Sequence, residues 1–182
     1  MAVDPTSLRL RIFPDAVLRR KALPLAEVTD EVRAVAAAML RIMAEEEGVG
    51  LAAPQVGLSW RLFVAHVPAD DSRSPDADPP TATRTPVVYI NPVIVEPEGG
   101  IEAGEEGCLS LPDIRGDVLR PPVVTIAAMD VNGQKFTARA GGLLARCWQH
   151  EVDHLDGVLI IDKMTQMSRI KNRKALKDLE RE

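Results

Sequence analysis

Residues 141–157 read Gly141-Gly-Leu-Leu-Ala-Arg-Cys-Trp-Gln-His-Glu-Val-Asp-His-Leu-Asp-Gly157, and the rest of the fold is read around them. Glycines at 141 and 157 bracket a predicted helix over 142–155. In a helix, residues four apart lie about 40° apart around the axis, so His150 and His154 project from one face at a spacing that one metal ion can bridge. Glu151 is offset by about 100°, at the rim of that face, where it can reach a water beside the ion without ligating. The chain has three histidines, and two of them stand four apart with a glutamate in the required place, so a metal site is favoured over coincidence.

A second helix is predicted on the C-terminal side, over 163–180. On the N-terminal side, Val32, Val35, Ala36, Met39, Leu40 and Met43 recur at three- and four-residue steps and put one apolar stripe on a helix over 29–46. Thr29 or Asp30 is its expected N-cap and Gly48 its expected stop, with Glu45, Glu46 and Glu47 read as a solvated end. Between the helices lie strand-like runs at 61–66 and 87–95, where Pro92 marks an edge or a bulge. Two more, at 123–127 and 134–139, flank Asp130-Val-Asn-Gly133, and Asn-Gly is a hairpin signal. Residues 69–86, rich in Pro, Asp, Ser and Thr, predict a long, mobile surface loop. With no internal repeat and no linker, residues 1–182 read as a single α+β domain.

Composition narrows the class. The 182 residues are 46% hydrophobic and 27% charged, the proportions of a globular domain. No apolar run approaches the ~18 residues of a membrane helix. The N-terminus carries an early acid and lacks an apolar core, so it reads as no signal or transit peptide, and a cytoplasmic location is expected. A net charge of −5 argues against DNA or another polyanion as a general partner, and six aromatic residues are few for a base-stacking surface. Charge is uneven, however: residues 163–182 carry seven bases against three acids, an excess of +4 that leaves −9 on the remainder. Cys108 and Cys147 are too few for a disulfide scaffold.

The third ligand decides the enzyme class. The metzincin position for a third histidine is Ile160, and the only downstream glutamates, Glu180 and Glu182, sit in the charged tail. His66 falls where a strand enters the long loop and reads as a satisfied or exposed histidine. Cys147 shares the face of His150, yet Cys147, His150 and His154 span about 10 Å of one helix, which strains ligation of a single ion. Cys147 therefore reads as a packed residue lining that face. Cys108, in Gly104-Glu-Glu-Gly-Cys-Leu-Ser-Leu-Pro112, comes from another segment and is the better ligand, its alternative being a buried free thiol.

Gly48-Val-Gly-Leu-Ala-Ala-Pro-Gln55, Glu106-Gly-Cys-Leu-Ser110 and Gln149-His-Glu-Val-Asp-His154 resemble, in that order, the three signature motifs of the peptide deformylase family. The resemblance runs from Phe13-Pro-Asp-Ala-Val-Leu-Arg-Arg20 to the helical C-terminus, and the insertion at 69–86 is the main departure. It implies small antiparallel or mixed sheets packed around a central metal-binding helix, with an N-terminal and a C-terminal helix. It further implies a divalent ion on Cys108, His150 and His154, ferrous iron in the family. The donor set also accepts Zn(II), Ni(II) or Co(II).

By the same resemblance Glu151 takes the proton of the attacking water and passes it to the leaving amine of an N-formylmethionyl nascent peptide. The Gln55 side-chain amide and the Leu109 backbone N–H receive the developing oxyanion. Gly50 lets the peptide backbone approach. Val49, Leu143 and Cys147 are candidates for the methionine pocket, with plain core as their alternative, and Arg115 for contact beyond the methionine. The basic C-terminal helix reads either as a solvated face or as a contact to the ribosome. Two rival functions use the same helix: a metallopeptidase, and a non-catalytic protein whose structural metal would need a fourth ligand from Cys147 or His66.

Overall fold

The computed structural model describes residues 3–181; Met1 and Ala2, where the reading of the N-terminus begins, and Glu182 of the basic tail lie outside them. Helix α1 (Asp30–Glu45) starts where expected: Thr29 is extended and its hydroxyl accepts the Val32 N–H at 3.3 Å. Its end differs from expectation. Glu47, not Gly48, takes the left-handed turn, with φ +53°, and the Gly48 N–H reaches back to the Met43 carbonyl at 2.8 Å. A Cβ at Gly48 would lie 2.8 Å from Leu109 Cδ1, so a larger residue there would displace that side chain.

Strands β1 (Gly50–Ala52), β2 (Leu62–Ala65), β3 (Val87–Glu98), β6 (Val123–Met129) and β7 (Lys135–Gly141) form one antiparallel sheet in the order β1-β2-β3-β6-β7. Between β3 and β6 in the chain, β4 (Glu102–Cys108) and β5 (Leu111–Arg120) make a separate antiparallel hairpin. Sequence reading anticipated no strand pair there. Every residue of β2 is buried, because the sheet is covered on both faces. Leu62 and Val64 join Val35, Met39 and Met43 of α1 in one core, while Phe63 and Ala65 join Leu144, Trp148 and Leu155 of α2 (Gly142–Leu155) in another. Burying one stripe of α2 beneath the sheet fixes its rotation, with Trp148 Nε1 donating to the Tyr89 hydroxyl at 3.0 Å. That rotation turns the two histidines away from the sheet core, toward the hairpin.

Pro92 sits at a register shift between Ile90 and Val93, the bulge alternative, on a strand paired on both sides. The β6–β7 hairpin turns through Asp130–Gln134 with Gly133 left-handed at φ +77°. The single helix expected over 163–180 is two: α3 (Ile160–Lys163) and α4 (Gln166–Leu179). Thr165 breaks the run by capping α4 through its hydroxyl, which accepts the Ser168 N–H at 3.3 Å. These two helices and β5 enclose a third core of Leu111, Ile114, Val118, Leu159, Ile160 and Met164.

The 69–86 segment, expected as a loose surface loop, is irregular but fastened. Ala82 is buried, the Thr83 N–H donates to the Val67 carbonyl, and Pro80 accepts from Gly141 N–H. His66 is the satisfied histidine of expectation, its Nδ1 lying 2.8 Å from Thr83 Oγ1.

Candidate active site

One end of the β4–β5 hairpin is clamped onto α2, and the clamp is what delivers Cys108 to the histidine pair. Arg146 of α2 donates to Glu106 Oε1 at 2.9 Å, to the Val118 carbonyl at 2.9 Å and to the Glu102 carbonyl at 3.2 Å. Gly104 leaves room for that guanidinium, since a Cβ there would lie 2.7 Å from Arg146 Cζ. Cys108 ends β4 at a register irregularity, where the chain turns and the sulfur is aimed at α2.

Cys108 Sγ lies 3.2 Å from His154 Nε2, and His154 Nε2 lies 3.1 Å from His150 Nε2. The three donor atoms all fall within 4.8 Å of one another, and they are the one such cluster found among the described residues. Ligands at about 2.0–2.3 Å from a tetrahedral ion would be roughly 3.3–3.6 Å apart, close to these separations. Three lone pairs facing each other repel unless a positive charge sits among them. The His150 tautomer also suits ligation: its Nδ1 donates to Glu106 Oε2 at 3.0 Å, which leaves the Nε2 lone pair facing inward. The donor set therefore fits a divalent ion.

Glu106 is a functional residue that sequence reading missed as an individual. Its carboxylate accepts two bonds from Arg120, at 2.6 and 2.9 Å, as well as those from Arg146 and His150. Arg120 is itself buried and continues to Asp153 at 2.8 Å, which in turn accepts from Lys163 of α3 at 2.8 Å. Burial alone would raise the Glu106 pKa, but the Arg120 and His150 contacts overcome it and hold the carboxyl well below the usual range. Ionised at neutral pH, Glu106 keeps the His150 ring oriented.

Glu151 is 3% exposed, and its Oε2 has no hydrogen-bond partner. Burial pushes its carboxyl up to about 7, the environment of a group that exchanges protons near neutrality. Gly50 lies directly against it. Gln55 is buried and fixed: its Oε1 accepts the Ala52 N–H at 2.8 Å, so its amide nitrogen faces Ser110 Oγ at 3.2 Å and Cys108 Sγ at 3.6 Å. Ser110 was not anticipated beyond its place in the motif. Burial, with Glu151 nearby, drives the Cys147 thiol well up, and its sulfur approaches the Val49 carbonyl at 3.4 Å. It is packed, and outside the donor cluster.

Gly50, Gln55, Glu106, Cys108, Cys147, His150 and Glu151 line one cavity of about 370 Å³. Val49, Leu109 and Leu143 supply half-buried apolar wall, and Arg115 stands exposed at its edge, 4.0 Å from Glu105. Every sequence-predicted site residue except His154 lines this cavity, and His154 is buried behind it in the donor cluster.

Comparison with known proteins bears on this arrangement. Residues 7–170 match the family model described as polypeptide deformylase. "Peptide deformylase 2" of Gloeobacter violaceus is 44% identical over 157 residues, covering 86% of this chain and 79% of that protein. The peptide deformylase of Synechococcus sp. (strain CC9605) is 37% identical over 181 residues, covering 100% of this chain and 85% of its own. Among solved structures, the peptide deformylase from Ehrlichia chaffeensis superposes with a TM-score of 0.86 at 30% identity, over 96% of this chain and 95% of that one.

Proposed function

The chain belongs to the peptide deformylase family, metal-dependent hydrolases that remove the formyl group from N-formylmethionyl peptides, and from that membership we propose which of its atoms carry the reaction. The observation that supports the assignment is the meeting of Cys108 Sγ, His150 Nε2 and His154 Nε2 beside a buried carboxylate with an unpartnered oxygen. We assign the metal to those three atoms. Bound there, a divalent cation supplies Lewis acidity, lowering the pKa of water and polarising the formyl carbonyl. Thiolate ligation softens that acidity, so a base is needed. Glu151 takes the proton from the attacking water and gives it to the departing amine.

Gln55, its amide locked by the Ala52 N–H, donates to the oxygen on which charge develops, together with the Leu109 backbone N–H. Gly50 offers a surface without side chain along which the peptide backbone lies. Val49, Leu143 and Cys147 receive the methionine side chain, and Arg115 at the cavity edge contacts the peptide beyond it. We read residues 1–182 as one catalytic domain working in the cytoplasm on nascent chains, with ferrous iron as the native ion and zinc, nickel or cobalt able to replace it. The basic face of α4 is a solvated surface that also suits the ribosome.

A metallopeptidase on the same helix has no support from the family match, and a four-ligand structural site lacks a fourth donor among the described residues. Incubation with formyl-Met-Ala-Ser and with the unblocked tripeptide tests the activity: formate release without backbone cleavage is expected. Glu151→Gln should bind metal and turn over no substrate; a fully active variant would remove Glu151 from its role.

A further inference from the structure

We propose that the peptide, after leaving the active-site cavity, crosses Arg115 into a second groove against α4, where one of its apolar side chains packs on Met167 and Ile170. The inference rests on the reading of Arg115 given above and extends it to a surface that the chemistry does not require.

The groove, of about 350 Å³, shares Arg115 and Glu105 with the active-site cavity, so the two spaces meet at that pair. An extended chain advances about 3.3 Å per residue. At that rise a chain of more than a few residues outruns a cavity of about 370 Å³, and the rest of a nascent chain has to travel over its rim. On the far side of Arg115 the floor is tied to α4. Asn172 of α4 donates to the Arg115 carbonyl at 2.8 Å, and Ser168 Oγ accepts the Asp117 N–H at 2.9 Å. Gly116 lies so close to α4 that a Cβ there would meet Ser168 Cβ at 2.7 Å.

The wall of the groove is unusual for a helix this polar. Met167 is 76% exposed and Ile170 61%, three residues apart and therefore neighbours on one side of α4. The rim charges, Arg115 and Lys171 against Glu105 and Asp117, balance in sign, so they favour neither an acidic nor a basic occupant. What the groove offers is apolar contact, and a passing peptide brings apolar side chains to it.

The test uses the metal-loaded full chain and a series of formylated hexapeptides, formyl-Met-Ala-Ser followed by three serines, with leucine placed at each of the last three positions in turn. Formyl-Met-Ala-Ser provides the reference rate for each variant. At one position leucine should raise kcat/KM roughly fivefold over serine, through KM, and Met167→Ser/Ile170→Ser should erase that gain relative to the tripeptide. Absence of a leucine gain at every position, or its survival in the double variant, overturns the proposal. So does sedimentation showing that the double substitution merely dissolves a wild-type dimer. Arg115→Ala on the tripeptide scores the other reading separately. A leucine gain without an Arg115 effect keeps the groove and discards the arginine contact; an Arg115 effect without a leucine gain discards the groove.

Discussion

Replacing Gly50 by alanine would set a methyl carbon 2.4 Å from Glu151 Oε1, 2.8 Å from its Cδ and 2.8 Å from Cys147 Sγ. A carbon–oxygen contact is comfortable at about 3.4 Å, so something must move by about 1 Å. The strand is poorly placed to yield: Gly50 pairs with Ala65, and Leu51 and Ala52 behind it are fully buried. Glu151, with one oxygen unpartnered, is the freer side and should be displaced. With Glu151 as the proposed base, a misplacement of about 1 Å costs about 100-fold in rate, so kcat should fall by about that factor. Overpacking should also lower stability by about 1–3 kcal/mol.

Metal content should stay at the wild-type level, because no donor atom is among the groups the new methyl would crowd. Formate release measured over a range of substrate gives kcat and KM separately. Adding Cys147→Ala removes the sulfur contact but leaves the carboxylate contact, so the double variant should regain stability more than kcat. A Gly50→Ala enzyme within threefold of wild type in kcat, or one changed in KM alone, would refute the argument.

If Gln55 donates to the developing oxyanion as proposed, Gln55→Ala should lower kcat by about 100- to 1,000-fold, while an unchanged kcat would show that the amide serves only Ala52 and Ser110. Glu106→Gln should destabilise the protein by about 3 kcal/mol in urea at neutral pH, because Arg120 loses its main buried partner. The Glu106 pKa is depressed by folding, so its contribution is complete above the unfolded value of about 4.3 and is lost as pH falls toward the folded value. The gap between wild type and variant should therefore narrow in acid; a gap independent of pH would contradict this. Glu47→Gly relieves a left-handed backbone of about 1 kcal/mol and should raise Tm by about 2–4 °C, and a lowered Tm would count against the turn assignment.

Much of this could be read from the chain because the signals were local. The glycines around α2, the hydroxyl of Thr29, and Asp130 to Gly133 each act within a few residues of themselves. The two histidines shared a face by helical spacing alone. The β4–β5 hairpin escaped notice because β4, Glu102-Ala-Gly-Glu-Glu-Gly-Cys108, has no apolar alternation and is extended by pairing with β5 and clamping to Arg146. The orienting network escaped for a related reason. Glu106 and Arg120 are 14 residues apart, Arg120 and Asp153 are 33 apart, and charged side chains read as surface until the fold buries them together. The break before α4 turned on one hydroxyl at Thr165, in a run whose composition is otherwise helical.

The central claim is that one cation is gripped by a sulfur from the hairpin and two imidazoles from α2, and cobalt-substituted protein tests it most directly. Anaerobic titration with Co(II) should give one equivalent per chain and a sulfur-to-cobalt charge-transfer band that disappears in Cys108→Ser and persists in Cys147→Ala. A band that survives loss of Cys108 and vanishes with Cys147, or no stoichiometric binding at all, would contradict the account.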